Sequence, residues 1–263
     1  GMISNENFRF EVTDVQKKLG DLFVHYGKVL SGSIKVDENI EMNIDVVRRN
    51  NTRAYHSATH LLHESLRRVL GPHVTQKGSL VEPERLRFDF SHMKPISDDE
   101  MVKIESYVND MISKQSAVTT RIMTPKEAVD NGALALFGEK YGDEVRVLSM
   151  GDEGEKYFST ELCGGTHVKN TGDIGKFKII SQSSIAAGVR RVEALRDRQL
   201  EDYLKNKEKM LNLSSEKDDE QINELSKQIS DLGGKPNLDE TDKKVLIKNL
   251  NKQLDTLSVN SIL

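Results

Sequence analysis

The chain changes character at about Val192. From there to its end Lys, Glu, Asp, Leu and Asn dominate, a composition that reads as solvated helix. Three helical stretches are predicted, 192–211, 217–232 and 239–257, separated by Ser214-Ser215 and by Gly233-Gly234-Lys235-Pro236. Ile222, Leu225, Ile229 and Leu232 recur at heptad-like spacing, which predicts a helical hairpin or coiled coil. On its own this tail is best read as an arm without chemistry.

Before that break, short apolar runs alternate between strand and helix spacing. Phe8, Phe10, Val12 and Val15 are spaced mostly by two, and further apolar runs follow to Val46 with turns expected at Gly20, Gly27 and Asp37-Glu38-Asn39. Short strands at close spacing predict a small N-terminal β-barrel. Residues 51–70 hold no Gly or Pro until Gly71-Pro72, so a helix is predicted there. Strands are expected near Gly78–Val81, Leu86–Phe90, Val145–Ser149 and Lys176–Ser181, and helices over Ser97–Ser116 and Thr124–Asn131. The Ser97-Asp98-Asp99-Glu100 start carries a capping-box pattern. The mixed order predicts an α+β chain in three parts: a barrel over 1–50, an α+β metal-binding domain over 51–195 and a helical tail over 196–263.

Composition narrows the chemistry. Of 263 residues, 36% are hydrophobic and 30% charged, with no Trp, so the core must rest on Leu, Ile, Val and a few Phe. A net charge of −4 argues against a general nucleic-acid coat and against DNA as a partner, although a local basic patch can still hold RNA. No apolar run nears the ~20 residues that span a bilayer, and no signal peptide is visible. A cytoplasmic location and no membrane partner are therefore expected. The single cysteine, Cys163, excludes an internal disulfide.

That cysteine belongs to the most informative pattern. His56 and His60 lie four apart in the predicted helix, so both imidazoles leave one face, and His63 lies near it. Cys163 and His167 lie four apart in the glycine-rich turn Glu161-Leu162-Cys163-Gly164-Gly165-Thr166-His167. Three imidazoles and a thiolate form a nitrogen–sulfur set that selects zinc over magnesium or calcium. Expected ligands are His56, His60, Cys163 and His167, with His167 also able to sit back and leave a position open.

His56-Ser57-Ala58-Thr59-His60-Leu61-Leu62 together with Cys163-Gly164-Gly165-Thr166-His167 resembles the editing domain of alanyl-tRNA synthetases. The same domain occurs in free-standing editing proteins and, more distantly, in threonyl-tRNA synthetase. Gln76-Lys77-Gly78-Ser79-Leu80 and Gly188-Val189-Arg190-Arg191-Val192-Glu193-Ala194 also look like segments of that family, and the resemblance runs through residues 8–195. It implies zinc-dependent hydrolysis of seryl- or glycyl-tRNA(Ala) made in error. It further implies that Thr59 contacts the serine hydroxyl and that Gln76 lines the pocket. Glu161 would orient a ligand, anchor the substrate amine or assist proton transfer, with the orienting role ranked first. Arg190 and Arg191 are candidates for gripping tRNA phosphates.

No aminoacylation domain is legible, so ATP binding and alanine activation would belong to a longer parent, and a homodimer would form through that parent's C-terminal region. Gly1 ahead of Met2 supports an excised piece over a free-standing editing protein. The rivals are a non-enzymatic module with a structural zinc, a different metallohydrolase and a thiol hydrolase. A His-Glu-x-x-His pattern would mark the metallohydrolase, and Ser57 stands where its Glu should be.

Overall fold

A computed structural model describes residues 1–20, 22–134, 142–154 and 156–260. They form two compact units, Gly1–Leu200 and Glu201–Leu263. The last three residues of the expected tail lie outside the described ones.

The first unit opens with strands β1 (Met2–Asn5), β2 (Phe8–Lys18), β3 (Leu22–Gly32) and β4 (Glu41–Asn43). They form an antiparallel sheet in the order β3-β2-β1-β4. The predicted barrel is thereby corrected: among the described residues β3 and β4 are edge strands with no further partner, and the sheet does not close. Phe23, Val29 and Met42, which a closed barrel would turn inward, are exposed. Gly27 is no turn either. It sits within β3 opposite Val12, where a side chain would strike the Glu11 carbonyl.

Helix α1 (Val46–Leu70) starts five residues earlier than predicted, because the Asp45 carboxylate accepts the Arg48 amide and caps its N-terminus. Gly71, at φ 119°, ends it. The helix is the axis of the unit. Between Ala54 and Leu66 nearly every side chain is buried, the polar Ser57, Thr59, His60, His63 and Ser65 included. Leu61, Leu62 and Leu66 are fully enclosed, each worth about 1.5–3 kcal/mol of apolar transfer.

Against α1 pack β5 (Gln76–Val81), β6 (Leu86–Ser91), α2 (Asp98–Ser113) and a second set of strands. That set comprises β7 (Thr119–Met123), β8 (Val145–Asp152) and β9 (Tyr157–Leu162), with the short α3 (Pro125–Asp130) between β7 and β8. Then follow β10 (Phe177–Ala186) and β11 (Val189–Arg196). The sheets are antiparallel, ordered β10-β11-β6-β5 and β7-β8-β9. Phe88, Phe90, Val192 and Ala194 of the first sheet join Leu148, Met150 and Phe158 of the second and the α1 leucines in one core. Tyr55 of α1 pins β11 from within: its hydroxyl accepts the Arg196 amide and donates to the Glu84 carbonyl.

The tail differs from its sequence reading in two ways. Residues 192–196 finish β11 rather than starting a helix, and α4 (Asp197–Asp231) runs through Ser214-Ser215 without a break. Serine lowers helix propensity only slightly, so a pair of them does not stop a 35-residue helix. The glycine turn does stop it, with Gly233 at φ 77°. Leu225 and Ile229 then pack against Leu246 and Leu250 of α5 (Lys243–Asn260), which makes a helical hairpin. No helix among the described residues is long and apolar enough to cross a membrane.

Candidate metal centre

The site forms where α1 meets the segment that follows β9. His56 and His60 project from one side of α1, and their ring centroids lie 5.2 Å apart. The turn after β9 brings Cys163 and His167 to them: the His56 and His167 rings are 4.3 Å apart and those of His60 and His167 5.1 Å apart. One donor atom from each of His56, His60, Cys163 and His167 falls within 4.8 Å of the other three. All four sequence-predicted ligands therefore converge, and His63 is not among them.

Four contacts hold the turn. The Cys163 amide donates to the Arg146 carbonyl at 3.0 Å, and the Arg146 guanidinium donates to the Gly165 carbonyl. The Ser57 hydroxyl accepts the Val168 amide at 3.1 Å and lies 3.3 Å from His167 Nδ1. Ser57 is fully buried, so a residue that looked like a departure from a metallohydrolase pattern is part of the scaffold. Gly165 is needed for room: a Cβ there would lie 2.7 Å from His56 Nδ1. Neither Gly164 nor Gly165 has a positive φ, so the turn does not depend on left-handed backbone at either position.

The electrostatics suit a cation. His60 Nδ1 lies 2.8 Å from Glu161 Oε2, both side chains being nearly enclosed. Its Nε2 is buried without a hydrogen-bond partner, the condition of an imidazole whose second nitrogen awaits a metal. Burial works against the charged imidazole of His60, but the Glu161 carboxylate outweighs it and lifts the pKa to about 10. Burial likewise opposes ionisation of Glu161, and the His60 charge and hydrogen bond overcome it, leaving the acid well below its usual range. Burial also opposes the Cys163 thiolate, but hydrogen bonds from His167 and His56 bring the thiol down to about 3. Burial holds His167 below its ordinary value, which keeps it neutral and able to coordinate. A thiolate and three imidazoles with an orphaned, buried nitrogen fit zinc.

The other candidates have contacts of their own. Thr59 is buried on α1, and its hydroxyl donates to the Tyr55 carbonyl at 2.9 Å. Gln76 begins β5 opposite Phe90, its amide directed to Ser79 at 3.4 Å. Arg190 and Arg191 lie on β11 on opposite faces of the sheet. Arg191 forms a two-pronged bond to the buried Asp89, at 2.7 and 2.8 Å, and Arg190 donates to Gln182 at 3.3 Å. Both arginines thus have internal partners. Ser57, His63 and Arg146 are the supporting residues that sequence reasoning left without a role. The only signal available for His63 was its spacing of three from His60.

Comparison with known proteins gives a family for part of the chain and relatives for most of it. Residues 145–193 match the family described as the threonyl and alanyl tRNA synthetase second additional domain, a stretch that includes Glu161, Cys163 and His167. The alanine–tRNA ligase of Mesorhizobium japonicum is 56% identical over 200 residues, 74% of this chain and 22% of that protein. The alanine–tRNA ligase of Parvibaculum lavamentivorans is 57% identical over 197 residues, again 74% of this chain and 22% of its own length. That of Chelativorans sp. is 53% identical over 216 residues, 80% of this chain and 24% of its length. The chain therefore spans less than a quarter of these relatives.

Proposed function

Since this chain belongs to the alanyl-tRNA synthetase family, we propose that it performs an editing hydrolysis, the zinc-dependent cleavage of serine or glycine wrongly esterified to tRNA(Ala). The observation that carries this reading is the convergence of His56, His60, Cys163 and His167 within 4.8 Å, half of it contributed by the segment that matches the synthetase domain. Bound there, zinc would supply the charge that activates a water or steadies an ester carbonyl.

The protein's own groups would prepare the site. Glu161 accepts from His60 Nδ1 and so keeps the ring turned with Nε2 toward the other three donors. Thr59 has committed its proton to the Tyr55 carbonyl, which leaves its oxygen to accept from the serine hydroxyl of a substrate. Such a contact would favour serine over an amino acid lacking that group. Gln76 would line the amino-acid pocket, with an amide that both donates and accepts. Arg190 and Arg191, on opposite faces of β11, would each meet tRNA phosphates from its own side, Arg191 with its charge partly answered by Asp89.

One observation favours a second reading. Four protein donors within 4.8 Å of one another are as many as a closed structural zinc takes, whereas catalytic zinc keeps a position open. A non-enzymatic zinc module follows from that, and a free-standing editor acting in trans on tRNA charged elsewhere is a separate alternative. The discriminating experiment measures zinc content and deacylation of Ser-tRNA(Ala), Gly-tRNA(Ala) and Ala-tRNA(Ala) by the wild type, Cys163→Ala and His56→Ala. Selective clearance of the serine or glycine ester, lost with the metal in both variants, supports editing. Full zinc occupancy without deacylation of any ester supports the structural module.

A further inference from the structure

His63 lies outside the ligand set and outside every role considered above, yet it is 5% exposed and in the middle of α1. Its Nδ1 lies 3.1 Å from Glu161 Oε1, while His60 Nδ1 lies 2.8 Å from Oε2. One carboxylate thus spans two histidines three residues apart on the same helix. Ser159 reaches Oε1 from the β9 side at 3.4 Å.

We propose that His63 is a positioning residue for the metal: it fixes the plane of the Glu161 carboxylate, which in turn fixes the His60 ring. The inference rests on the zinc reading above.

The reasoning is geometric. A glutamate side chain held by a single hydrogen bond keeps its terminal torsion, which is broad and roughly two-fold. Swinging that torsion would take Oε2 off His60 Nδ1 and free the imidazole to rotate. A second donor on the other oxygen removes this freedom. Ser159, at the limit of hydrogen-bond distance, holds it weakly, so the hold falls chiefly to His63. Ionised carboxylate oxygens only accept, hence both histidines must donate from Nδ1. For His60 that leaves Nε2 as the nitrogen that can turn to the metal. For His63 it leaves a buried Nε2 without a hydrogen-bond partner, on a ring whose centroid lies 5.2 Å from that of Phe88. An N–H at that nitrogen would be an unsatisfied buried donor, so the surroundings also favour the Nδ1–H form. The three residues act as a chain, His63 to Glu161 to His60, in which only the last touches the metal.

The test is zinc affinity, measured on the full chain by competition with a chromophoric chelator, with far-ultraviolet circular dichroism to confirm folding. His63→Asn keeps an N–H near the Nδ1 position, whereas His63→Gln moves the amide toward Nε2 and His63→Leu removes it. Loss of an outer partner of a ligand typically weakens metal binding by about 10–100-fold. That range is expected for His63→Leu and His63→Gln, with His63→Asn within a few-fold of the wild type. In a Glu161→Leu background the His63 substitutions should have no further effect, because the link through which they act is gone. Wild-type affinity in a folded His63→Leu or His63→Gln overturns the inference, as does an equal loss in Asn and Gln or an undiminished effect without Glu161. Should His63→Leu not fold, the Asn–Gln comparison decides. A wild-type chain that binds no zinc fails the metal reading itself, and this inference with it.

Discussion

At the scale of the residue, the site is governed by what each side chain leaves no room for. Gly165 is the sharpest case, because the His56 ring occupies the volume of its missing Cβ. Gly165→Ala should displace His56 and weaken zinc binding about tenfold or more, as disturbed ligand orientation does. Gly164→Ala is the control. A Cβ there meets nothing within 4 Å, and its zinc affinity should match the wild type in the same chelator competition. Titration gives a second prediction. Without metal, the folded pKa of His60 is raised to about 10 from an ordinary 6.5. The stability it contributes is therefore complete below pH 6.5 and disappears as pH rises through 10. Glu161 is depressed below 4.5, so its contribution is complete above that pH and disappears on acidification. In the metal-free chain the contribution of this pair is therefore greatest between about pH 4.5 and 6.5, and the melting temperature lost in Glu161→Gln should be largest there. Zinc must displace the His60 proton, so its affinity should rise with pH over the range in which the contribution of the His60–Glu161 pair falls. Melting curves with chelator and with zinc across pH 4–10 check both trends.

At the scale of the element, the metal centre depends on how one turn is tethered. Arg146 holds the Cys163–His167 turn twice, by its backbone carbonyl and by its guanidinium. Arg146→Met keeps the first bond and removes the second. It should cost about 1.5–3 kcal/mol, the range for a hydrogen bond to a charged group, read from urea unfolding, and should weaken zinc binding measurably. Ordinary periodicity shows α1, because its apolar residues repeat on one side while Gly71-Pro72 marks its end, and the four ligands stand out because their types and spacings suit one metal. The tethers had no such signal. Arg146 and Ser57 meet the turn across separations of 19 and 111 residues, and nothing local in sequence marks that approach. The strands missed by pattern show the same limit. In β9 the run Ser159-Thr160-Glu161 is polar, yet Ser159 and Glu161 are buried, Glu161 against His60 and His63 of α1. In β11 the predicted helix over 192–211 takes in Glu193, whereas Glu193 pairs with Arg85, just before β6, and its neighbour Arg191 with Asp89 of β6. Polar residues recruited by partners distant in sequence hide the alternation that would reveal a strand.

At the scale of the whole molecule, the two compact units have very different cores. The first gathers α1, α2 and both inner sheets into one large cluster, and every candidate ligand belongs to it. The hairpin of the second rests on four buried side chains, Leu225, Ile229, Leu246 and Leu250, ringed by partly buried Ile222, Ile247, Leu254 and Leu257. So small a core has little margin. Ile229 is fully enclosed, and its truncation to alanine should cost about 2–5 kcal/mol, enough to melt the hairpin. Because the ligands of the metal and their tethers all precede residue 200, Ile229→Ala should lower the helical circular dichroism signal while leaving zinc stoichiometry and chelator-competition affinity at wild-type values. Thermal unfolding of the variant should retain the cooperative transition of the first unit. Loss of zinc together with the hairpin would instead show that the two units fold as one, and the long helix α4, which passes from one to the other, would then be the element that couples them.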